Sequence, residues 1–275
     1  MDLPLSRLSS GDIYRAVLRR GITPTPSPAT IRRWLAADPI KPWQYRMWIS
    51  PTDPQFREKA GPVLDLYFGW YDGEPLGPDD YVISIDEKTS IQARARMYVS
   101  KHIGPHQVRR IEFEYSRKGA LVYVAAWDVH RAKPFGVCRK KNGIKSFRAV
   151  VDLVMGQEPY RSARRVFFIA DNGSSHRGKA AKARLAQWYP NAILVNTPVH
   201  ASWLNQIELY FSIVQRKVLT PNTFESLTEL EHQIMAFQDY YASYAKPFKW
   251  RFTKKDLQRV LDKHGTPELK SNIAA

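Results

Sequence analysis

Tyr81-Val-Ile-Ser-Ile-Asp86 is an apolar run of strand length that closes on a carboxylate. Arg165-Val-Phe-Phe-Ile-Ala-Asp171 repeats the form 85 residues later. Short runs of this kind, rich in β-branched and aromatic residues, predict core strands. A third acid, Glu208, falls within Ser202-Trp-Leu-Asn-Gln-Ile-Glu-Leu-Tyr-Phe-Ser212, which reads as a helix. Carboxylates at the ends of two core strands, with a third delivered from a helix, can converge on one point. Three anionic oxygen donors at one point require a cation, and hard oxygen ligands favour Mg²⁺ or Mn²⁺.

Outward from these runs the pattern is α/β. Ile111–Tyr115 reads as a short strand, and Leu121–Asp128 and Lys133–Cys138 read as a strand pair joined by a short turn. Phe147, Val150, Val151 and Val154 have helical spacing and predict a helix over Ser146–Met155. Beyond Asp171 come an Ala- and Lys-rich helix over Lys179–Trp188 and a strand over Ala192–Asn196. Helices over Asn205–Val218 and Leu227–Tyr244 complete the order. Three strands, a helix, then strand, helix, strand and helix is the order of a ribonuclease-H-like fold, a mixed five-stranded sheet flanked by helices.

The first part of the chain reads as separate. A helix within Ser10–Gly21, a Pro-rich connector over Thr23–Pro28 and a second helix over Ala29–Ala37 are compatible with a partial helix-turn-helix segment exposing Arg19, Arg20, Arg32 and Arg33. Pro39, Pro42, Pro51 and Pro54 mark a linker, and Pro54–Tyr67 reads as a connecting helix with a kink at Gly61-Pro62. The expected division is a DNA-binding segment over 1–38, a linker and connecting helix over 39–78, and a catalytic domain over 79–275.

Composition supports a packed core, with 44% apolar residues. No apolar stretch reaches the roughly 20 residues of a membrane span. The start Met-Asp-Leu-Pro-Leu-Ser lacks a basic end followed by an apolar run, and a single cysteine, Cys138, excludes an internal disulfide and a Cys-rich zinc site. A cytoplasmic, nucleoid-associated protein is the expectation. The net charge of +16 predicts a polyanionic partner. Between Lys88 and Arg148 stand 15 Lys or Arg against Glu112, Glu114 and Asp128. This excess begins beside Asp86, where backbone phosphates are the natural counter-charge.

Four blocks carry a family resemblance: Ile85-Asp-Glu-Lys-Thr-Ser-Ile-Gln92, Glu114-Tyr-Ser-Arg-Lys-Gly119, Ala170-Asp-Asn-Gly-Ser-Ser-His176 and Thr197-Pro-Val-His-Ala-Ser-Trp-Leu-Asn-Gln-Ile-Glu208. In this order they resemble the signature blocks of DDE transposases, and are most similar to the bacterial insertion-sequence six-thirty family of the Tc/mariner superfamily. Lys249-Trp-Arg-Phe-Thr253 resembles the family's ending. The resemblance spans Tyr81 to Val218, with two departures. Family members usually carry paired helix-turn-helix units, whereas one fits here, as in a truncated element or a downstream reading frame. The interval between Asp171 and Glu208 is slightly longer than the family's, as a loop insertion would make it.

The resemblance implies two divalent ions, with Asp86 bridging them, Asp171 holding one and Glu208 the other. It implies cutting of inverted-repeat transposon ends by water, and joining of the freed 3′-hydroxyl to target DNA at TA dinucleotides. A homodimer or higher oligomer on paired ends is implied as well. Glu87, on the opposite side of a regular strand from Asp86, reads as an ion-pair partner of an arginine or as support for the site. Asn172 and His176 follow Asp171 in a turn; His176 reads as a phosphate contact, an ordering residue or a surface cap of the next helix. Asn205, three residues before Glu208, can share its helix face. DNA contacts are expected from Arg94, Arg96, Arg117, Lys118, Arg139, Lys140, Lys141, Lys145 and Trp203, with Trp203 equally readable as a core anchor. Two other functions compete: a nuclease without strand joining, and a repurposed, non-enzymatic DNA-binding protein.

Overall fold

The computed structural model describes residues 9–22, 26–37, 53, 55–101, 108 and 110–264. The proline-rich stretch 38–52, expected as a linker, lies outside the described residues. The chain forms two compact units, Met1–Ile49 and Ser50–Ala275.

The first unit holds α1 (Ser10–Arg19) and α2 (Pro28–Ala37), which pack on each other. Ser9, one residue before the expected start signal, caps α1. Its Oγ accepts from Asp12 N at 3.2 Å, and Asp12 Oδ2 accepts from Ser9 N at 2.8 Å. Ser27 Oγ accepts from Thr30 N at 3.1 Å at the start of α2, where Pro28 opens the helix without wasting a donor. Ala16 and Ile31 are buried, while Arg19, Arg20, Arg32 and Arg33 are exposed.

The second unit opens with α3 (Phe56–Tyr67), whose Phe56, Ala60, Val63, Leu64 and Tyr67 form the buried stripe of a helix against a sheet. The helix runs through Pro62 unbroken. A two-residue hairpin that the sequence reading did not anticipate follows: β1 (Trp70–Tyr71) and β2 (Glu74–Pro75), turning at Asp72-Gly73 with φ of 52° and 82°.

The main sheet comprises β3 (Asp80–Arg96), β4 (Tyr115–Asp128), β5 (Pro134–Arg139), β6 (Arg165–Ala170) and β7 (Ala192–Asn196). Its order is β5-β4-β3-β6-β7; β3, β4 and β5 are antiparallel neighbours, and β6 and β7 run parallel to β3. This is the expected mixed five-stranded ribonuclease-H-like sheet. Two differences matter. β3 is nearly three times the length anticipated, because it continues past Asp86 as an antiparallel ribbon with β4. Ile111–Tyr115 is not a strand: of these residues only Tyr115 is in β4, and the bridge nearby is the isolated pair Lys101–Arg110.

Strand alternation sorts side chains into two layers. Val82, Tyr123, Ala125, Trp127, Phe167 and Ile169 face the core shared with α3, α6 (Ile207–Lys217) and α7 (Leu227–Ala242). Ile83, Ile85, Val122, Val124, Val166 and Phe168 face the core shared with α4 (Ile144–Met155) and α5 (Gly178–Trp188). A further helix, α8 (Lys254–His264), also escaped the sequence reading; its Leu257 joins the first core, and Lys254 Nζ reaches Asp65 at 2.6 Å. At the β3–β6 entrance, Arg165 grips Asp80 through Nε–Oδ1 at 2.9 Å and Nη2–Oδ2 at 2.6 Å.

Packing against β5 is tight at Gly136, where a Cβ would lie 2.5 Å from Tyr123 Cε2 and 2.8 Å from Gln238 Oε1. Gly136→Ala is expected to destabilise the second unit by about 2 kcal/mol. A lower urea midpoint at unchanged slope is the measurement that checks it.

Candidate active site

Asp86 and Asp171 come from neighbouring parallel strands. The β3–β6 register pairs Ser84 with Ile169, so Asp86 and Asp171 stand two residues beyond the last pair on each strand. Adjacent strands lie about 4.8 Å apart, and the carboxyl ends of parallel strands are where open α/β sheets place their ligands. Asp86 has the parity of Val82, so its side chain lies on the face covered by α6. Glu208 sits in the first turn of α6, at the positive end of the helix dipole.

The entry to α6 is held by a residue that the sequence reading missed. Tyr67, at the end of α3, donates its hydroxyl to Leu204 O at 2.7 Å and accepts from Gln206 N at 3.1 Å. Asn205 is not on the helix face of Glu208, as its spacing suggested. It is extended and buried between the 3₁₀ turn Ser202–Leu204 and α6, and donates Nδ2 to Ile85 O at 3.0 Å. Asn205 thus bolts the start of α6 to β3, one residue before Asp86. Its Oδ1 is buried with no hydrogen-bond partner among the described residues.

His176 is fully buried, which excludes the surface-cap reading. Its Nε2 hydrogen-bonds Asp171 Oδ1, and its Nδ1 lies 3.0 Å from Ser175 Oγ. Ser175 Oγ is 3.2 Å from Glu87 Oε1. Glu87 therefore points away from Asp86 as strand alternation requires, yet reaches the site's underside through Ser175; among the described residues it forms no ion pair with an arginine. Gly173 N donates to Asp171 Oδ1 at 2.7 Å, and a Cβ there would sit 2.8 Å from His176 Nε2, so only glycine permits the approach. The loop after β6 is tied to the end of β7: Asn172 Nδ2 donates to Thr197 O at 2.6 Å, and Asn196 Nδ2 to Asp171 O at 3.0 Å and His176 O at 2.8 Å. Arg184 of α5 donates to Ser175 O. Asn196 and Arg184 carry no motif signal of their own and emerge only from the fold; Ser175 lies inside a signature block, but its role there does not show in the sequence.

Electrostatics mark the carboxylates as a coupled group. Burial pushes the Asp86 carboxyl up to about 8, and Asp171, Glu87 and Glu208 add repulsion against one hydrogen bond from Glu87 N. Asp171 is held below its ordinary value by the His176 hydrogen bond, which outweighs its burial. For His176, burial works downward, but Asp171 and the charges of Glu87 and Asp86 outweigh it and raise the imidazole. Glu208 is raised by burial and by Asp171 against the pull of Lys88, a shift moderated by water at this exposed helix end.

Asp86 Oδ1 takes the bond from Glu87 N at 2.7 Å, and Asp171 Oδ1 takes those from Gly173 and His176. The Oδ2 atoms of both, and the Glu208 carboxylate, have no hydrogen bond among the described residues. Among those residues no three His, Cys, Asp or Glu side chains close into a ready-made cage for one ion. The arrangement is two adjacent aspartates with a glutamate within electrostatic reach.

The residues expected to contact DNA divide. Arg117 and Lys118 are exposed on β4. Arg139, Lys140, Lys141 and Lys145 are exposed around the β5–α4 turn, at the Asp86 end of the sheet, since Lys88 and Cys138 pair with the same residue, Tyr123. Arg96 is not free: Nη1 donates to Glu112 O at 2.8 Å and Nη2 to Asn222 O at 2.7 Å, so it clamps two loops. Arg94 lies over the Tyr115 ring at 4.6 Å and bonds Gln92 at 3.2 Å. Trp203 is 44% exposed and meets Phe252 edge-to-face at 5.1 Å, which makes it a half-covered lid on α8's approach and not a core anchor.

The sequence profile of the DDE superfamily endonucleases matches residues 81–231, more than half of the chain. The chain belongs to this family. Among solved structures, this DDE endonuclease is similar to the Mos1 mariner paired end complex with Mn, with TM-score 0.56, 14% identity and coverage of 96% of this chain and 81% of that chain. The pre-cleavage Mos1 transpososome gives the same values. The Mos1 paired end complex with Mg gives TM-score 0.55, with 14% identity and the same coverage. At this identity the likeness carries the fold. No curated protein sequence matches the chain.

Proposed function

We propose that this DDE endonuclease is a DNA transposase of the Tc/mariner type, of the insertion-sequence six-thirty kind, that cuts transposon ends and joins them to target DNA. The observation that carries the reading is the β3–β6 register, which sets Asp86 beside Asp171 on neighbouring strands with Glu208 in the first turn of the helix over that face, in a chain of net charge +16. Similarity to Mos1, solved as paired end complexes and as a transpososome, supports the transposase reading over a plain nuclease.

A pair of divalent cations, Mg²⁺ or Mn²⁺, belongs to the proposal, and Mos1 complexes have been solved with each metal. The residues fit such a group: all donors are hard carboxylate oxygens, and Mg²⁺ keeps several waters and substrate oxygens in place of a full protein cage. Asp86, Asp171 and Glu208 would hold the ions. Bound there, they would neutralise charge on the phosphate and favour the attacking oxygen's deprotonation. His176 and Gly173 fix Asp171 through Oδ1 and leave Oδ2 without a hydrogen bond among the described residues. Asn205 and Tyr67 fix the start of α6, which carries Glu208. In cutting, a water oxygen bonds to phosphorus as the P–O3′ bond breaks, and the leaving 3′ oxygen takes a proton. In joining, that 3′-hydroxyl oxygen loses its proton and bonds to a target phosphorus as the target strand's own P–O3′ bond breaks, leaving a target 3′-hydroxyl. Neither step needs a covalent protein intermediate.

The remaining parts are proposals of the same kind. Residues 1–38 read DNA through α1 and α2, 39–78 connect, and 79–275 carry the chemistry. Arg19, Arg20, Arg32, Arg33, Arg117, Lys118, Arg139, Lys140, Lys141 and Lys145 contact phosphates. Inverted-repeat ends and TA targets are the substrates, a homodimer or larger assembly is the active form, and the setting is the cytoplasmic nucleoid.

The test is purified full chain with Mg²⁺ and duplexes carrying the inverted repeats that flank its gene. Cut ends and joined products are expected. Cutting with no joined product would assign a nuclease, and DNA binding with no metal-dependent cutting would assign a repurposed binder.

A further inference from the structure

Beyond Asp86 the β3–β4 register slips. Lys88 pairs with Tyr123 and Ile91 with Leu121, so Thr89 and Ser90 form a bulge, with Ser90 in the left-handed region at φ 57°. Bulges of this kind re-aim side chains beside active sites. Here the bulge opens a cleft of about 390 Å³ between β3 and the end of α6, with Gln215 and Thr220 on the far wall. Three cations line it: Lys88, Arg94 and Arg96. Arg94 is spent on Gln92 and the Tyr115 ring, and Arg96 on backbone carbonyls. Lys88 alone among the three has no hydrogen bond or ion pair among the described residues. It lies two residues from Asp86 on the same strand face, and its charge is felt by Glu208.

We propose that this cleft is a DNA-phosphate subsite, in which Lys88 holds a backbone phosphate next to the one that is cut. An ammonium with no partner among the described residues, in a cleft whose two arginines are engaged internally, is suited to a single anionic oxygen group. Its position beside the carboxylates places that group within about one nucleotide of the reacting phosphorus. Lys88 acts there as a positioning residue, setting the strand's register against Asp86 and Glu208. The assignment rests on the DNA-cutting reading above and adds the side from which the strand enters.

The experiment compares full-length wild type, Lys88→Gln and Gln215→Lys for binding to a labelled, mixed-sequence DNA duplex across a salt series. Each phosphate contact contributes about 0.9 to the slope of log affinity against log salt. Lys88→Gln is expected to reduce that slope by about one. Gln215→Lys, which adds a cation to the exposed opposite wall, is expected to raise it by about one, an outcome that misfolding cannot produce. Wild-type binding with unchanged slopes in both variants would overturn the subsite alone. A wild type that fails to bind the duplex would overturn the DNA-cutting reading and the subsite with it.

Discussion

Asp171→Asn is expected to reduce metal-dependent DNA cutting by at least about 10³-fold, while salt-sensitive DNA binding stays within a few fold of wild type. The loss corresponds to about 4 kcal/mol of transition-state stabilisation. An amide keeps the volume and can still receive Gly173 N, but it loses the charge that His176 pairs with and offers a cation a far weaker ligand. Binding survives because the exposed arginines and lysines do not depend on that carboxylate. The check is a gel assay of strand cleavage alongside a binding isotherm for the same preparation. Cutting at the wild-type rate would remove Asp171 from the chemistry and with it the proposed metal site.

The second large effect concerns stability without metal. Asp86 is pushed up to about 8 by burial and by its acidic neighbours. Its carboxyl is then protonated in the folded chain and ionised in the unfolded chain between about pH 4 and pH 8. The folded state holds the extra proton, so stability contributed by the neutral acid is full below pH 4 and is lost as pH rises through 8. Asp86→Asn removes this dependence. At pH 8, in chelator, the variant is expected to exceed wild type by about 2 kcal/mol, less than the full shift would give at about 1.4 kcal/mol per unit, because a strained site relaxes. Thermal melts at pH 5 and pH 8 decide it. Parallel behaviour of the two proteins would show that Asp86 is not held neutral. Added Mg²⁺ is expected to restore wild type at pH 8 and leave Asp86→Asn unmoved.

Much of the second unit was legible because its strands are buried on both faces and its helices have clear periodicity. Arg165–Ala170 and Ala192–Asn196 reproduce their apolar runs closely. The part of β3 beyond Asp86 was not legible: Glu87 to Arg96 is mostly polar, and its pairing comes from a β4 segment in which Arg117–Ala120 are exposed. The hairpin at Trp70–Pro75 is too short for any period to show. The acids could be found from their context, but their supports could not. Tyr67 lies 137 residues from the carbonyl it holds, and Asn196 reaches back 25 residues to Asp171. Such contacts leave no local trace. Arg94 and Arg96 looked like surface charge because sequence cannot tell a guanidinium facing solvent from one satisfied by carbonyls.

Asp86 lies in the middle of a 17-residue strand and not at its tip. The aspartate therefore shares one continuous backbone with the outlying ribbon, and a load applied at the far end reaches the carboxylate as tilt unless something absorbs it. The Thr89–Ser90 bulge interrupts the ladder between the two ends, and the Arg96 grip on Asn222 ties down the outlying one. Closing the bulge or releasing that grip should change how sharply the two aspartates stay aligned while leaving every group at the reaction centre intact.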